Sequence, residues 1–286
     1  MQPIYELESL ISYRGPLTLR LHGRDLLFDL AQPHERRYVL WLLFDLRYPQ
    51  ADIDRVLFRT FLHKGDLCLD IGANIGVTAL EMLGFGARKV IAFEPVQALV
   101  TRLEAARAPD LEVHPLALCD RVGTDEILLS EEHNQGHSLM PRQVELFPQI
   151  FGGTPQRQIV ETSTLDTFFT ESAGEVWKVD VEGAEHALLR GASRLLAEAP
   201  PRVIFCECYE NASKLSDLLG PDWVGARALL RTGSTDLVLS GMWVDPDPKV
   251  FAPLSPTYVF FRSATDALPA GLTIEPDSRE CPDAPA

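Results

Sequence analysis

At 286 residues and 46% hydrophobic content, the chain has room for one large α/β domain plus an appended segment, with a sizeable core. Its 26 basic residues stand against 41 acidic ones, a net charge of −15 that argues against general affinity for nucleic acid or an anionic membrane. Neutral or cationic small molecules are the better partners, and no apolar run approaches the ~18 residues needed to cross a bilayer.

The first residues, Met1 to Glu8, carry no basic stretch leading into an apolar run, so no secretory signal is read and a cytoplasmic protein is expected. In that setting the sequon Asn211-Ala-Ser213 is accidental. Of five cysteines, Cys68, Cys119, Cys206 and Cys208 fall in or beside core strands and read as buried free thiols. Cys206-x-Cys208 has no matching Cys/His pair nearby, which speaks against zinc.

Leu17–His22 alternates as a strand does, and Leu26–Leu30 reads as its hairpin partner. Arg36 to Phe44 and Ile53 to Leu62 carry apolar residues at helical spacing. Residues 1–64 therefore form a cap segment, either a packing and dimer-forming element or a wall of the substrate pocket. Beyond it the expected order is strand 67–71, helix 77–83, strand 89–93, helix 97–107 and strand 111–114. Segment 116–170 is irregular, with an extra strand at Glu126–Ser130, glycine and proline clusters at 152–155 and a helix start at Ser163–Asp166. Strand 176–180, helix 184–197, strand 203–207 and helix 211–219 follow, then strands Leu237–Ser240 and Thr257–Arg262. Alternating strands and helices imply a doubly wound, mostly parallel sheet of seven strands, one made antiparallel by a terminal hairpin, over residues 65–263. Residues 264–286, acidic and proline-rich, read as a disordered tail.

The chemistry concentrates in two acidic constellations. In the first, the apolar run Leu67–Ile71 leads into Asp70-Ile-Gly72-Ala-Asn74-Ile-Gly76, and a second apolar run ends in Glu94-Pro95. Strand, glycine turn, helix and strand make a nucleoside-binding unit whose crevice lies outside the carboxyl ends of the strands. The glycines do not follow G-x-G-x-x-G, so the pyrophosphate cradle is missing and S-adenosylmethionine fits better than a dinucleotide. Gly72 and Gly76 are read as points where backbone approaches the ligand, Glu94 as the grip on the ribose hydroxyls, and Asp70 as a hold on the methionine amino group. A helix cap is the competing role for Asp70, and Asn74 is either a turn residue or a contact to the methionine portion. Ala117 and Leu118 lie where the adenine ring would rest.

The second constellation is Lys178-Val-Asp180-Val-Glu182-Gly-Ala-Glu185. Lys178 and Asp180 share one strand face, and an ammonium in an apolar strand needs an acidic partner. Glu182 and Glu185 flank the next helix, where they either favour its dipole or serve the site.

Asp70–Gly76, Phe93–Pro95, Ala117–Asp120, Thr164–Asp166 and Lys178–Glu185 together resemble the FkbM family of methyltransferases across residues 50–210. The resemblance implies the Rossmann-like class I fold, S-adenosylmethionine as cofactor and a hydroxyl on a sugar, polyketide or glycolipid as acceptor. N- or carboxyl-methylation of a small molecule or peptide, and a non-catalytic binding protein, are the alternatives. An alcohol acceptor needs a base or a metal. Asp180 with Glu207 could share a magnesium ion through oxygen ligands; otherwise His137 is the favoured histidine base, with His186 second.

Overall fold

The computed structural model describes residues 3–130, 134–151, 155–210, 212–241, 246–262, 268–269 and 272–275. Asn211 and the Gly152–Thr154 cluster lie outside them, as do Cys281 and most of the expected tail. The cap begins with helix α1 (Pro3–Leu10), which the sequence pattern does not announce, and a hairpin of β1 (Pro16–Leu21) and β2 (Arg24–Asp29). The hairpin closes through His22 and Gly23, both at positive φ (49° and 81°), the two-residue turn whose twist matches the strands. Helices α2 (Pro33–Phe44) and α3 (Pro49–Phe61) each start on proline, which needs no hydrogen-bond acceptor at a first helical position. α3 buries Ile53, Val56, Leu57, Phe58 and Phe61 against the main sheet.

The main domain runs β3 (Leu67–Ile71), α4 (Val77–Gly84), β4 (Lys89–Phe93), α5 (Gln97–Glu104), β5 (Leu111–His114), β6 (Ala117–Leu118) and β7 (Gly123–Leu129). It continues through α6 (Pro141–Leu146), α7 (Pro148–Phe151), β8 (Gln156–Ser163), α8 (Leu165–Phe168), β9 (Val176–Val179), α9 (Glu185–Arg190), α10 (Ser193–Glu198) and β10 (Val203–Glu207). The end is α11 (Ala212–Leu219), β11 (Trp223–Leu230), β12 (Leu237–Ser240), β13 (Thr257–Arg262) and β14 (Ile274–Glu275). The main sheet has the order β14-β12-β11-β13-β10-β9-β3-β4-β5, with β10, β9, β3, β4 and β5 parallel and β13 inserted antiparallel between β10 and β11. The fold is thus the expected α/β doubly wound, mostly parallel one. Side chains alternate between two buried layers: Cys68, Val176 and Phe205 face α3 and α4, while Leu69, Trp177 and Ile204 face α9 and α10. Strand order reverses between β3 and β9, which puts a crevice at their carboxyl ends.

Several expectations need correction. The sheet has nine strands among the described residues, not seven. β11 escapes the sequence reading because Gly225 and Arg227 interrupt its apolar run. β14 lies in the segment expected to be a disordered tail; it pairs with β12, and Leu268, Leu272 and Ile274 pack on the core. The irregular segment holds a separate three-stranded sheet, β6-β8-β7. The single helix expected over 184–197 is broken into α9 and α10 at Gly191, where an added Cβ would lie 2.0 Å from the Cys119 carbonyl oxygen. Asp166 caps the second piece, accepting from the backbone N–H of Arg194 (2.7 Å) and Leu195 (2.9 Å). Among the described residues no helix is long and apolar enough to cross a membrane, and the four described cysteines are buried free thiols.

Candidate active site

A cleft enclosing about 990 Å³ opens at the carboxyl ends of β3, β4 and β9. Its floor is sewn together by backbone bonds, from Gly72 and Ala73 N–H to the Phe93 carbonyl and from Asp180 N–H to the Ile71 carbonyl. Glu94 and Pro95 stand on one wall, Glu94 almost fully buried. The Glu94 carboxylate accepts from the N–H groups of Asn74 and Val96, each at 2.9 Å, which fixes both oxygens at the tip of β4. Burial pushes its pKa up to about 7 against the pull of those two donors. Leu116, Ala117, Leu118 and Ile127 make an apolar wall beyond it, which includes the two residues that the sequence reading sets beside the adenine ring.

The glycine loop lines the cleft at Gly72 and Asn74 but not at Gly76, and the reason for glycine differs from the one expected. A Cβ on Gly72 would lie 1.8 Å from the Asp180 carbonyl oxygen, and one on Gly76 2.1 Å from Leu103 Cδ1. Both residues also hold positive φ, 85° and 92°. The glycines let the protein's own parts approach, and the ligand inherits the space. Asn74, at φ 51°, takes the turn conformation while bonding on both sides: its Oδ1 accepts from Ile75 N–H and its Nδ2 donates to the Asn134 carbonyl.

Asp70 is fully buried behind the cleft wall, where Thr78 Oγ1 donates to Oδ2 at 2.6 Å and Thr78 itself lines the cleft. Asp70, expected to hold the methionine amino group directly or through water, thus stands behind Thr78 at the cleft wall. Burial raises the Asp70 pKa, and neighbouring Lys178 opposes that rise. Lys178 Nζ donates to Asp180 Oδ2 at 2.9 Å. Burial alone would discharge this ammonium; Asp180, Asp70 and Asp54 more than offset it and raise its pKa. Asp180 Oδ1 carries no hydrogen bond among the described residues.

His137 lines the cleft, but its Nδ1 accepts from Ser130 N–H at 3.0 Å. A neutral ring then holds its proton on Nε2, so the geometry makes His137 a donor rather than the expected base. His186 is outside the cleft lining. It joins Glu185 and Cys208 in the one group among the described residues whose ligand atoms, within 4.8 Å of one another, could hold a metal. Asp180 and Glu207 assemble no such group: Asp180 is paired with Lys178, and Glu207 accepts from Gln50 Nε2 (2.8 Å) and Tyr209 OH (3.1 Å). The expected magnesium site therefore has no support in the geometry.

A second cavity of about 820 Å³ carries Tyr5, Arg37, Tyr48, Phe147, Phe151 and Tyr209 on its walls, with Glu207 beside them. Gln50, Gln135, Asp180 and Glu182 line both cavities, so the two meet there. Burial, then repulsion from Asp180, pushes Glu207 up to about 8. Sequence reading offers the cap as a candidate pocket wall but names none of its residues: His34, Tyr38, Gln50 and Asp54 all line the first cleft. The available signal is that Gln50 and Asp54 stand one helical turn apart and so share a face of α3.

The methyltransferase FkbM domain matches residues 70–231. No curated protein sequence matches the chain. Similar solved structures include an S-adenosylmethionine-dependent methyltransferase from Agrobacterium tumefaciens, at 10% identity and TM-score 0.40 over 88% of this chain and 72% of that one. A dimethyladenosine transferase from Plasmodium falciparum is 13% identical with TM-score 0.39 over 76% and 63%. A precorrin-6y C5,15-methyltransferase from Geobacter metallireducens is 10% identical with TM-score 0.38 over 73% and 86%.

Proposed function

The chain belongs to the FkbM methyltransferase family, and from that premise we propose that it methylates a hydroxyl on a sugar, secondary-metabolite or glycolipid acceptor. The observation that carries the proposal is the meeting of the two cavities at Asp180. The first cavity fits S-adenosylmethionine: Glu94 offers carboxylate oxygens to ribose hydroxyls, and the Leu116–Leu118 wall offers an apolar bed to a flat ring. When bound, the cofactor supplies a methyl carbon made electrophilic by the positive charge on its sulfur. The protein must then align the acceptor, exclude water and take one proton.

Asp180 suits the proton. Lys178 holds Oδ2, which leaves Oδ1 to accept from the acceptor hydroxyl. The second cavity mixes aromatic faces (Tyr5, Tyr48, Phe151, Tyr209) with oxygen acceptors (Glu182, Glu207, Gln143). That mixture suits a polyhydroxylated ring, whose C–H faces lie on aromatic surface while its hydroxyls donate.

Release of S-adenosylhomocysteine should appear with hydroxylated acceptors, stop when the hydroxyl is blocked, and continue in the presence of chelator. Release from a hydroxyl-blocked amine or acid would instead establish N- or carboxyl-methylation. Asp180→Asn keeps the shape and removes the charge, so cofactor affinity should survive while single-turnover rate falls by about 10² or more. A well-folded variant with wild-type rate would sink the catalytic assignment of Asp180.

A further inference from the structure

Asp54 stands apart from the other acids of the cleft. It sits on α3 in the cap, outside the residues the family match covers, yet its side chain lines the cofactor cleft with Gly72, Thr78, Lys178 and Asp180. Four neighbouring acids each have a partner: Asp70 has Thr78 on Oδ2, Asp180 has Lys178, Glu94 has two backbone N–H groups, and Glu81 has Arg55. The Asp54 carboxylate has no hydrogen bond or ion pair among the described residues. Lys178, the cation that acts on it most, forms no ion pair with it and already donates to Asp180. A half-buried carboxylate in this condition is costly to keep charged, and burial pushes its pKa up to about 7.

The cleft also has a direction. Glu94 ends β4, and Leu116–Leu118 follow β5, so the adenosine half of the cofactor belongs on that side. Asp54 shares the cleft lining with Lys178 and Asp180 of the β9 end, and those two groups and Asp70 of β3 are the charges that act on it most. What extends toward that end from adenosine is the amino-acid portion, which carries an ammonium group.

We propose that Asp54 binds the cofactor's α-ammonium, so that the cap segment completes the cofactor site as well as lining it. The inference rests on the S-adenosylmethionine reading above. An ammonium has donors for an acceptor that has none, and its charge offsets the desolvation that Asp54 bears alone. Gln50, one turn earlier on α3, lines both cavities, so one helix would hold the ammonium and border the acceptor. Asp54 is in this reading a binding residue, distinct from the proton acceptor Asp180.

The test compares two ligands by calorimetry. S-adenosylhomocysteine carries the ammonium, and 5′-methylthioadenosine keeps the adenosine and thioether without it. Asp54→Asn should weaken S-adenosylhomocysteine about tenfold or more and leave 5′-methylthioadenosine within about twofold. Asp54→Ala, which also removes the buried charge, should give the same split, and both variants should melt no lower than the wild type. Equal weakening of both ligands, or no weakening of either, overturns the proposal. A lower melting temperature with unchanged binding assigns Asp54 to the support of Lys178 and overturns it as well. Failure of the wild-type protein to bind either ligand would bring down the cofactor reading itself and this inference with it.

Discussion

Glu94 shows how a single carboxylate is made ready for a neutral donor. Its two oxygens are already fixed by Asn74 and Val96 N–H, so a ribose would meet an acceptor that does not have to reorganise. Charge-assisted hydrogen bonds of this kind contribute roughly 1.5–3 kcal/mol each. Glu94→Ala should therefore weaken S-adenosylhomocysteine at least about tenfold by calorimetry, with 5′-methylthioadenosine weakened equally because it keeps the ribose. Unchanged affinity in a folded variant would mean that the strand-tip acid has been misread. The contrast with Asp54, whose loss should separate the two ligands, maps one residue to each half of the cofactor. Gly72 works differently: its missing side chain admits the Asp180 carbonyl, so the same residue that shapes the loop also sets where the Asp180 side chain begins.

The helix break at Gly191 is the clearest device among the elements. The Cys119 carbonyl, just after β6, fills the space a Cβ would occupy, and the Gly191 carbonyl accepts from Asp166 N–H at 3.0 Å. Gly191→Ala meets backbone rather than a movable side chain, so it should lower the unfolding free energy by about 1–3 kcal/mol in denaturant titrations. It should also weaken 5′-methylthioadenosine relative to the wild type, because the neighbouring Leu118 lines the cleft. A variant as stable as the wild type would show that the break tolerates a side chain. The strands β3, β4, β9 and β10 are legible as apolar runs because both their faces are covered. β8 and β11 are not, since Gln156, Arg157 and Gln158 make one polar and Gly225 with Arg227 interrupts the other. Site legibility divides the same way. Asp70, Glu94 and Asp180 announce themselves by ending apolar strands, whereas Tyr38, Gln50 and Asp54 reach the cleft only through tertiary packing of the cap. The spacing of Gln50 and Asp54 by one turn hints at a shared face but not at what that face meets. His137 is legible as a cleft residue, but its tautomer depends on Ser130 N–H, which only the folded loop supplies.

At the scale of the whole molecule, the cleft is a concentration of acids that the fold holds at a cost. Burial pushes Asp54, Glu94 and Glu185 up to about 7 and Glu207 up to about 8, and it raises Glu182 as well. Between the ordinary carboxylate range, roughly pH 4–5, and pH 8 the native state therefore binds more protons than the unfolded chain. The slope of unfolding free energy with pH follows unfolded minus native protons bound, so it is negative across that window. Glu81, Glu112 and Asp120, whose pKa values are lowered, act in the opposite sense but only below the window. The melting temperature without ligand should fall from pH 5 to pH 8, by roughly 2 °C for each kcal/mol lost at this chain size. The net charge of −15 would pull the same way through surface repulsion. Salt of about 0.5 M screens that repulsion and leaves the buried acids largely untouched, so the fall should persist there. Glu207→Gln removes one of the raised groups and should flatten the profile above pH 7. The cofactor's ammonium offsets the same cluster, so S-adenosylhomocysteine should stabilise the protein more at pH 8 than at pH 5. A profile that rises with pH in high salt, or a ligand shift that is larger at pH 5, would mean that the cleft acids are charged without penalty and that the cap does not bury them as described.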